Sequence, residues 1–214
     1  MTSLSIDHAR LSDALYLLVL KRLLDICLSS IILALTWPLF VGLAIAIALT
    51  SSGPVFFSQR RVGLRGETFW MLKFRSMYRD AEDRLAEFSG HSNRSGVCFK
   101  LEKDPRVTPV GRILRRFSLD ELPQLFNVLR GDMSLVGPRP GLLSEVAAYP
   151  EHAHARHHVL PGITGLWQVS GRADIGFDEM ISLDLEYVRG VSFLNDCTIL
   201  IRTFGAVLAG KGAY

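Results

Sequence analysis

From Ile26 to Gln59 the chain carries no charged residue, 34 positions in a row bracketed by Asp25 and Arg60. A bilayer-crossing helix needs about 20 apolar residues, so this stretch decides more than any other what the chain can fold into: it meets a membrane. It starts too late and runs too long for a cleaved secretory signal, which predicts that it is retained. Pro38 lies near its middle, in Thr36-Trp37-Pro38. Proline there removes a helix hydrogen bond and crowds the carbonyl four residues back. Cations flank both sides: Lys21 and Arg22 before, Arg60, Arg61, Arg65, Lys73 and Arg75 after. The positive-inside rule places both flanks in the cytoplasm, which one span cannot satisfy. A helix that enters, bends near Pro38 and returns does satisfy it, with Ser29, Ser30 and Thr36 able to serve backbone groups freed at the bend. A plain span with a proline kink stays open; the flanks favour the re-entrant form.

The rest of the 214 residues suffices for one domain beside that anchor. With 49% hydrophobic and 21% charged residues the chain is not disordered, and its mean hydropathy of +0.24 comes largely from the uncharged stretch. A formal charge of +3 and a pI near 8.9 suit an anionic lipid surface or a phosphorylated substrate. The dense basic clusters of a nucleic-acid binder are missing, so no nucleic-acid partner is expected. Cys27, Cys98 and Cys197 form no C-x-x-C and read as reduced thiols. Leu11–Leu24 is expected to form an amphipathic helix that sets Lys21 and Arg22 at the membrane surface. Val55–Phe57 and Glu67–Phe74 read as a β-hairpin. Helices are expected over Ala81–Phe88, Gly111–Phe117, Leu122–Leu129, Leu142–Val159 and Phe177–Val188. Phe193–Leu208 reads as a surface-lying amphipathic helix. Ser89–Gly96, Val136–Gly141 and Pro161–Gly165 read as loops or turns. The fold class is a helix-rich α+β, divided into a membrane segment at residues 1–50 and a cytoplasmic catalytic domain at 51–214.

Within Ser118-Leu119-Asp120-Glu121-Leu122-Pro123 the adjacent carboxylates stand out. Ser118 with Glu121 three residues later is a capping-box pattern. Pro123 opposes it, because proline just past a first turn lacks a needed N–H; the helix should start near Pro123 instead. Asp120 and Glu121 then sit where a helix begins, a place that favours anions. An Asp there can act as a nucleophile toward phosphorus or hold a metal. Lys73 and Arg75 lie in Lys-Phe-Arg-Ser-Met, Arg139 between two prolines, and Arg172 after Ser170-Gly171. Each arginine alone is an ordinary surface charge, but rigid Pro-Arg-Pro and Gly-Arg contexts together point to phosphate binding. No Walker loop or dinucleotide fingerprint is present. In the run His152–His158, His154 and His158 would share a helical face, yet no acid or cysteine at ligand spacing joins them. Asp184 and Asp196, taken alone, read as helix-surface acids.

Lys21-Arg22 with Asp25, Gly53–Gly63, Lys73–Met77, Asp104–Thr108, Ser118–Asn127, Val136–Pro140 and Pro161–Arg172 together resemble the bacterial sugar transferases, the monotopic polyprenyl-phosphate phosphoglycosyl transferases. The resemblance runs in order from about residue 21 to the C-terminus. It implies transfer of a phospho-sugar from a UDP-sugar to polyprenyl phosphate with release of UMP, at the cytoplasmic face of the bacterial inner membrane. It also implies a re-entrant anchor broken near a Ser-Pro pair; here the pair is Trp37-Pro38. By the same resemblance Asp120 is the covalent nucleophile and Mg²⁺ ligand, and Glu121 its partner. Lys73, Arg75, Arg139 and Arg172 bind substrate phosphates, and Asp184 and Asp196 are further substrate-site acids. Membrane lipid is an implied partner, and a homodimer is left open. The sugar and the final glycan are not named by any residue. The rival reading is an inactive membrane scaffold of a glycan-assembly complex, against which the intact Asp120, Glu121, Lys73, Arg139 and Arg172 speak.

Overall fold

The computed structural model describes residues 19–84, 104–171 and 175–209. Its first element, α1 (Lys21–Thr50), is one hydrogen-bonded helix that runs through Pro38. The Thr36 hydroxyl donates to the Ile32 carbonyl at 2.7 Å, just ahead of the proline. The buried residues of α1 are Lys21, Asp25, Ser29, Leu33, Phe40 and Ile47. Steps of four and seven keep them on one stripe, so the helix lies against the rest of the chain from its first turn to its last. The other faces stay open, with Leu35 at 77% and Leu49 at 81% exposure. In water each such leucine forfeits about 1.5–3 kcal/mol of burial. Among the described residues α1 is the one helix long and apolar enough to cross a membrane.

The expected hairpin forms. Strands β1 (Phe56–Val62) and β2 (Thr68–Phe74) pair antiparallel, with Phe57 opposite Lys73. A short strand, β4 (Gly141–Leu142), adds to the free edge of β1. Between them in sequence lie α2 (Pro109–Arg116), a 3₁₀ turn at Leu119–Glu121, α3 (Gln124–Arg130) and β3 (Ser134–Val136). The last helices are α4 (Leu143–Ala147), α5 (Leu166–Ser170), α6 (Phe177–Arg189) and α7 (Phe193–Ala209). Leu33 of α1, Met71, Leu125, Val128, Met133, Leu135, Tyr187 and Ile199 share one apolar core. Phe40 and Ile47 lie in a second with Phe74 and Leu114, where the Phe40 and Phe74 rings are 4.6 Å apart.

Three expectations give way. Leu142–Val159 is not one helix: α4 ends at Ala147, and beyond Pro150 a 3₁₀ helix covers Glu151–His158. Proline both disfavours helix in the residue before it and withholds a donor, so His154 and His158 do not share an α-helical face. Pro161–Gly165 is not only a turn: Gly162–Thr164 forms β5, parallel to β3. Ala81–Arg84 is turn rather than helix; the remainder of the expected Ala81–Phe88 helix, the Ser89–Gly96 loop and Cys98 lie outside the described residues. Lys21–Leu24 belong to α1, and the preceding part of the Leu11–Leu24 expectation is likewise outside them.

The cations ahead of the apolar stretch are tied to the body of the fold. The Lys21 ammonium donates to Val136 O (3.1 Å), Tyr187 Oη (3.3 Å) and Asp196 Oδ2 (2.5 Å). Arg22 donates to the carbonyls of Val128 and Leu129 at the end of α3, and Asp25 accepts from the Leu135 N–H at 2.9 Å. One helical turn thus ties α1 to α3, β3 and α7.

Candidate active site

The 118–123 segment is built on a sharp reversal. After α2, Ser118 takes a left-handed backbone, φ 54° and ψ 24°, and caps nothing with its side chain. Such a conformation in a non-glycine residue costs about 1–2 kcal/mol and concentrates at functional sites. Leu119–Glu121 forms the 3₁₀ turn, and α3 begins at Gln124 with Pro123 before it. The capping-box pattern is therefore not used, and Glu121 is free for another role. The reversal buries Asp120, 7% exposed, and sets Glu121 beside it.

Lys73 of β2 meets both acids. Its ammonium lies 2.6 Å from Glu121 Oε1 and 3.8 Å from Asp120 Oδ2. Asn127 fixes this meeting. Its amide accepts from the Leu72 N–H (2.9 Å) and donates to Trp70 O (2.7 Å) and Asp132 Oδ2 (3.0 Å). It thereby joins α3 to the open edge of β2, immediately ahead of Lys73. The two carboxylates part electrostatically. Burial pushes the Asp120 carboxyl above the usual range, and Lys73 and the arginines only partly offset this. Burial would raise Glu121 too, but Lys73 and then Arg139 outweigh it and hold Glu121 below its ordinary value. Two adjacent acids with separated proton affinities suit an assignment of different tasks. The Asp120 carboxylate accepts no hydrogen bond from a described residue.

The cations sort into two groups. Arg139 acts on both acids, as Lys73 does. Arg115 of α2 does so on Asp120, and its own pKa is lowered by burial. Arg115 has no counterpart among the sequence candidates; its signal was its place in a basic helix five residues ahead of Asp120. Arg75 is bound at the end of α1. It is buried and donates to Ser52 O (2.5 Å), Ser51 O (2.8 Å) and Ser51 Oγ (2.9 Å), so it closes the C-terminal end of α1 and offers no open fork to a phosphate. Arg172 lies outside the described residues.

Asp184 and Asp196 are not surface acids. Asp196 is held by Lys21 and by the Tyr187 hydroxyl at 2.8 Å. Asp184 is fully buried against Arg156, itself enclosed. Neither stands in the open beside Asp120. Asn127, Arg61 and Arg156 escaped the sequence reading, because a buried polar residue and an exposed one are spelled alike.

A sequence model of the bacterial sugar transferase family matches residues 16–210. The chain is 45% identical over 197 residues to the galactosyl transferase CpsE of Streptococcus agalactiae, covering 92% of this chain and 44% of that protein. It is 40% identical over 198 residues to the exopolysaccharide production protein ExoY of Rhizobium meliloti, covering 91% and 88%. It is 42% identical over 207 residues to the UDP-glucose:undecaprenyl-phosphate glucose-1-phosphate transferase of Xanthomonas campestris, covering 93% and 41%. The chain thus spans most of ExoY and less than half of the other two.

Proposed function

This chain belongs to the bacterial sugar transferase family, and on that premise we propose that it is a phosphoglycosyl transferase, moving a phospho-sugar from a UDP-sugar to undecaprenyl phosphate with release of UMP, at the start of exopolysaccharide or another surface-glycan assembly. One observation carries the reading: a buried Asp120 that accepts no hydrogen bond from a described residue, next to a Glu121 whose pKa Lys73 lowers, where Arg115 and Arg139 also act.

In the first step an Asp120 carboxylate oxygen attacks the sugar-bearing phosphorus of the donor. An O–P bond forms, the bond from that phosphorus to the bridging oxygen breaks, and UMP leaves with the electron pair. An oxygen of the acceptor phosphate then attacks the same phosphorus, and Asp120 recovers its carboxylate. Two displacements spare the two anionic substrates from meeting directly. Burial raises the basicity of Asp120, which favours it as the nucleophile, while Lys73, Arg115 and Arg139 offset the charge that gathers on the phosphates. Arg172 is assigned to the same phosphates by family resemblance.

The donor set fits Mg²⁺, which takes one or two carboxylates, completes its shell with substrate phosphate and water, and needs no protein cage. Among the described residues no group of three or more acidic, histidine or cysteine side chains offers such a cage. Asp120, with Glu121 beside it, would hold the ion, whose charge would polarise the diphosphate.

The anchor is read as re-entrant. A straight 30-residue helix is about 45 Å long, enough to carry one end across a bilayer. Yet Lys21 at one end and Ile47 at the other both pack on the body that bears Asp120. This supports return to the cytoplasmic face, where residues 51–214 would work at headgroup depth. The outward Leu194, Ile201 and Phe204 of α7 support a lipid contact there as well.

The test is UMP release by detergent-purified protein with Mg²⁺, undecaprenyl phosphate and a panel of UDP-sugars. Wild type is expected to respond to one sugar, Asp120→Asn to none, and intact mass after donor alone to show the added phospho-sugar on wild type only. Activity surviving in Asp120→Asn would overturn the nucleophile, and silence of wild type across the panel would favour the scaffold.

A further inference from the structure

The Pro138-Arg139-Pro140 loop has no slack in its backbone. Its three successive carbonyls each accept from a different part of the fold. Pro138 O takes the Gly162 N–H of β5 at 2.9 Å. Arg139 O takes Arg156 Nη2 of the 3₁₀ helix at 2.8 Å. Pro140 O takes Arg61 Nη1 of β1 at 3.2 Å. The prolines have no N–H to satisfy, and packing behind the loop is tight: a Cβ on Gly137 would lie 2.3 Å from Leu160 O. The Arg139 side chain, by contrast, forms no hydrogen bond or ion pair with a described residue. It is a guanidinium with no hydrogen-bond partner among the described residues, on a fixed base.

Two of the three donors are buried guanidiniums, Arg61 and Arg156, and Arg156 is the more enclosed. A backbone N–H could have served Arg139 O without a buried charge, as Gly162 serves Pro138 O. Instead a guanidinium 2% exposed does so. Its Nη1 also donates to Tyr149 Oη at 2.8 Å, its Nη2 to Asp184, and it lies 5.4 Å from the Tyr149 ring centre. The Tyr149 hydroxyl in turn abuts Gly141, where a Cβ would come within 2.8 Å of it. One enclosed cation therefore grips the loop from below and reaches the acid of α6 and the ring that supports the loop's far end. A planar fork can hold three acceptors in fixed directions, which an ammonium cannot.

We propose that Arg156, oriented by Asp184 and Tyr149, is a positioning residue that aims Arg139 at the phosphates transferred at Asp120. This deepens the reading of Arg139 given above and rests on it. Asp184 then serves the reaction through Arg156, without touching substrate.

The test is a double-mutant cycle on UMP release by the full chain, using Arg156→Lys, Arg139→Ala and both together, with kcat and KM determined separately and thermal melting alongside. Arg156→Lys is expected to lower kcat/KM at least ~10-fold alone, and to add less than about 3-fold once Arg139 is already alanine, because the interaction is spent through that side chain. A loss of equal size in both backgrounds would overturn the proposal and leave Arg156 a general support of the fold. If Arg156→Lys does not accumulate folded, the cycle is run with Asp184→Asn and with Tyr149→Phe, which keep the shape, under the same criterion. If Arg139→Ala alone left wild-type rates, the proposal would fall at its premise, while wild-type UMP release would still carry the reaction itself.

Discussion

Single side chains here are set by what they are paired with, and two of them make measurable predictions. The fully buried Asn127 satisfies two backbone groups on the edge of β2 and one acid. Asn127→Leu strands those groups and is expected to cost roughly 3 kcal/mol, read as a lower melting temperature, with turnover falling further because Lys73 loses its frame. His157 is buried, and burial followed by Arg156 lowers its pKa to about 4. Its unfolded value is near 6.5. Between those values the unfolded chain binds a proton that the native one refuses, so stability falls as pH drops from about 6.5 to 4 and levels off below. The difference should reach roughly 2–3 kcal/mol. Denaturation across that window should show a shallower slope in His157→Gln than in wild type; an equal slope would remove His157 as the cause.

At the level of elements, the site depends on how closely α2 and β2 approach the turn between them. The N–H of Gly111 is capped by the Thr108 hydroxyl at 2.9 Å, and a Cβ at Gly111 would lie 1.9 Å from Ser76 O. Gly111→Ala must push α2 off the 76–77 segment. Forced overpacking usually costs about 1–3 kcal/mol, and this contact is with backbone, which yields little. The expected outcome is a loss of folded protein or, where it folds, a weakened site, since Arg115 rides on the same helix and donates to Ser76 Oγ at 3.0 Å. Wild-type melting and activity in Gly111→Ala would show that the helix can shift without consequence.

Across the whole molecule, the first turn of α1 knits the anchor into the domain that carries the chemistry. Reporters fused at both ends of the chain are expected to be cytoplasmic in cells; a periplasmic reporter at the start would rule out the re-entrant reading. The Lys21–Asp196 pair is buried, and breaking one partner of such a pair leaves an uncompensated charge, typically costing about 3–5 kcal/mol. Lys21→Met should therefore destabilise strongly, whereas Lys21→Met with Asp196→Leu should recover much of the loss, as followed by melting in detergent. Local sequence determined what depends on neighbours in the chain. The uncharged run dictated one long apolar helix, the alternation of Glu67–Phe74 after a glycine-bounded turn a hairpin, Pro123 the start of α3, and Asp120-Glu121 two adjacent acids at its entry. Only the tertiary structure decided which charges are free. Arg75 and Arg139 look alike as cations beside special backbone, yet one closes a helix end and the other is left open. Lys21, Asp184 and Asp196 turned inward because distant partners were waiting for them, and β5 formed because β3 lies alongside. A charge's fate is fixed by groups a hundred residues away, such as the 115 positions between Lys21 and Val136, and by a desolvation cost that exists only once the chain has closed around it.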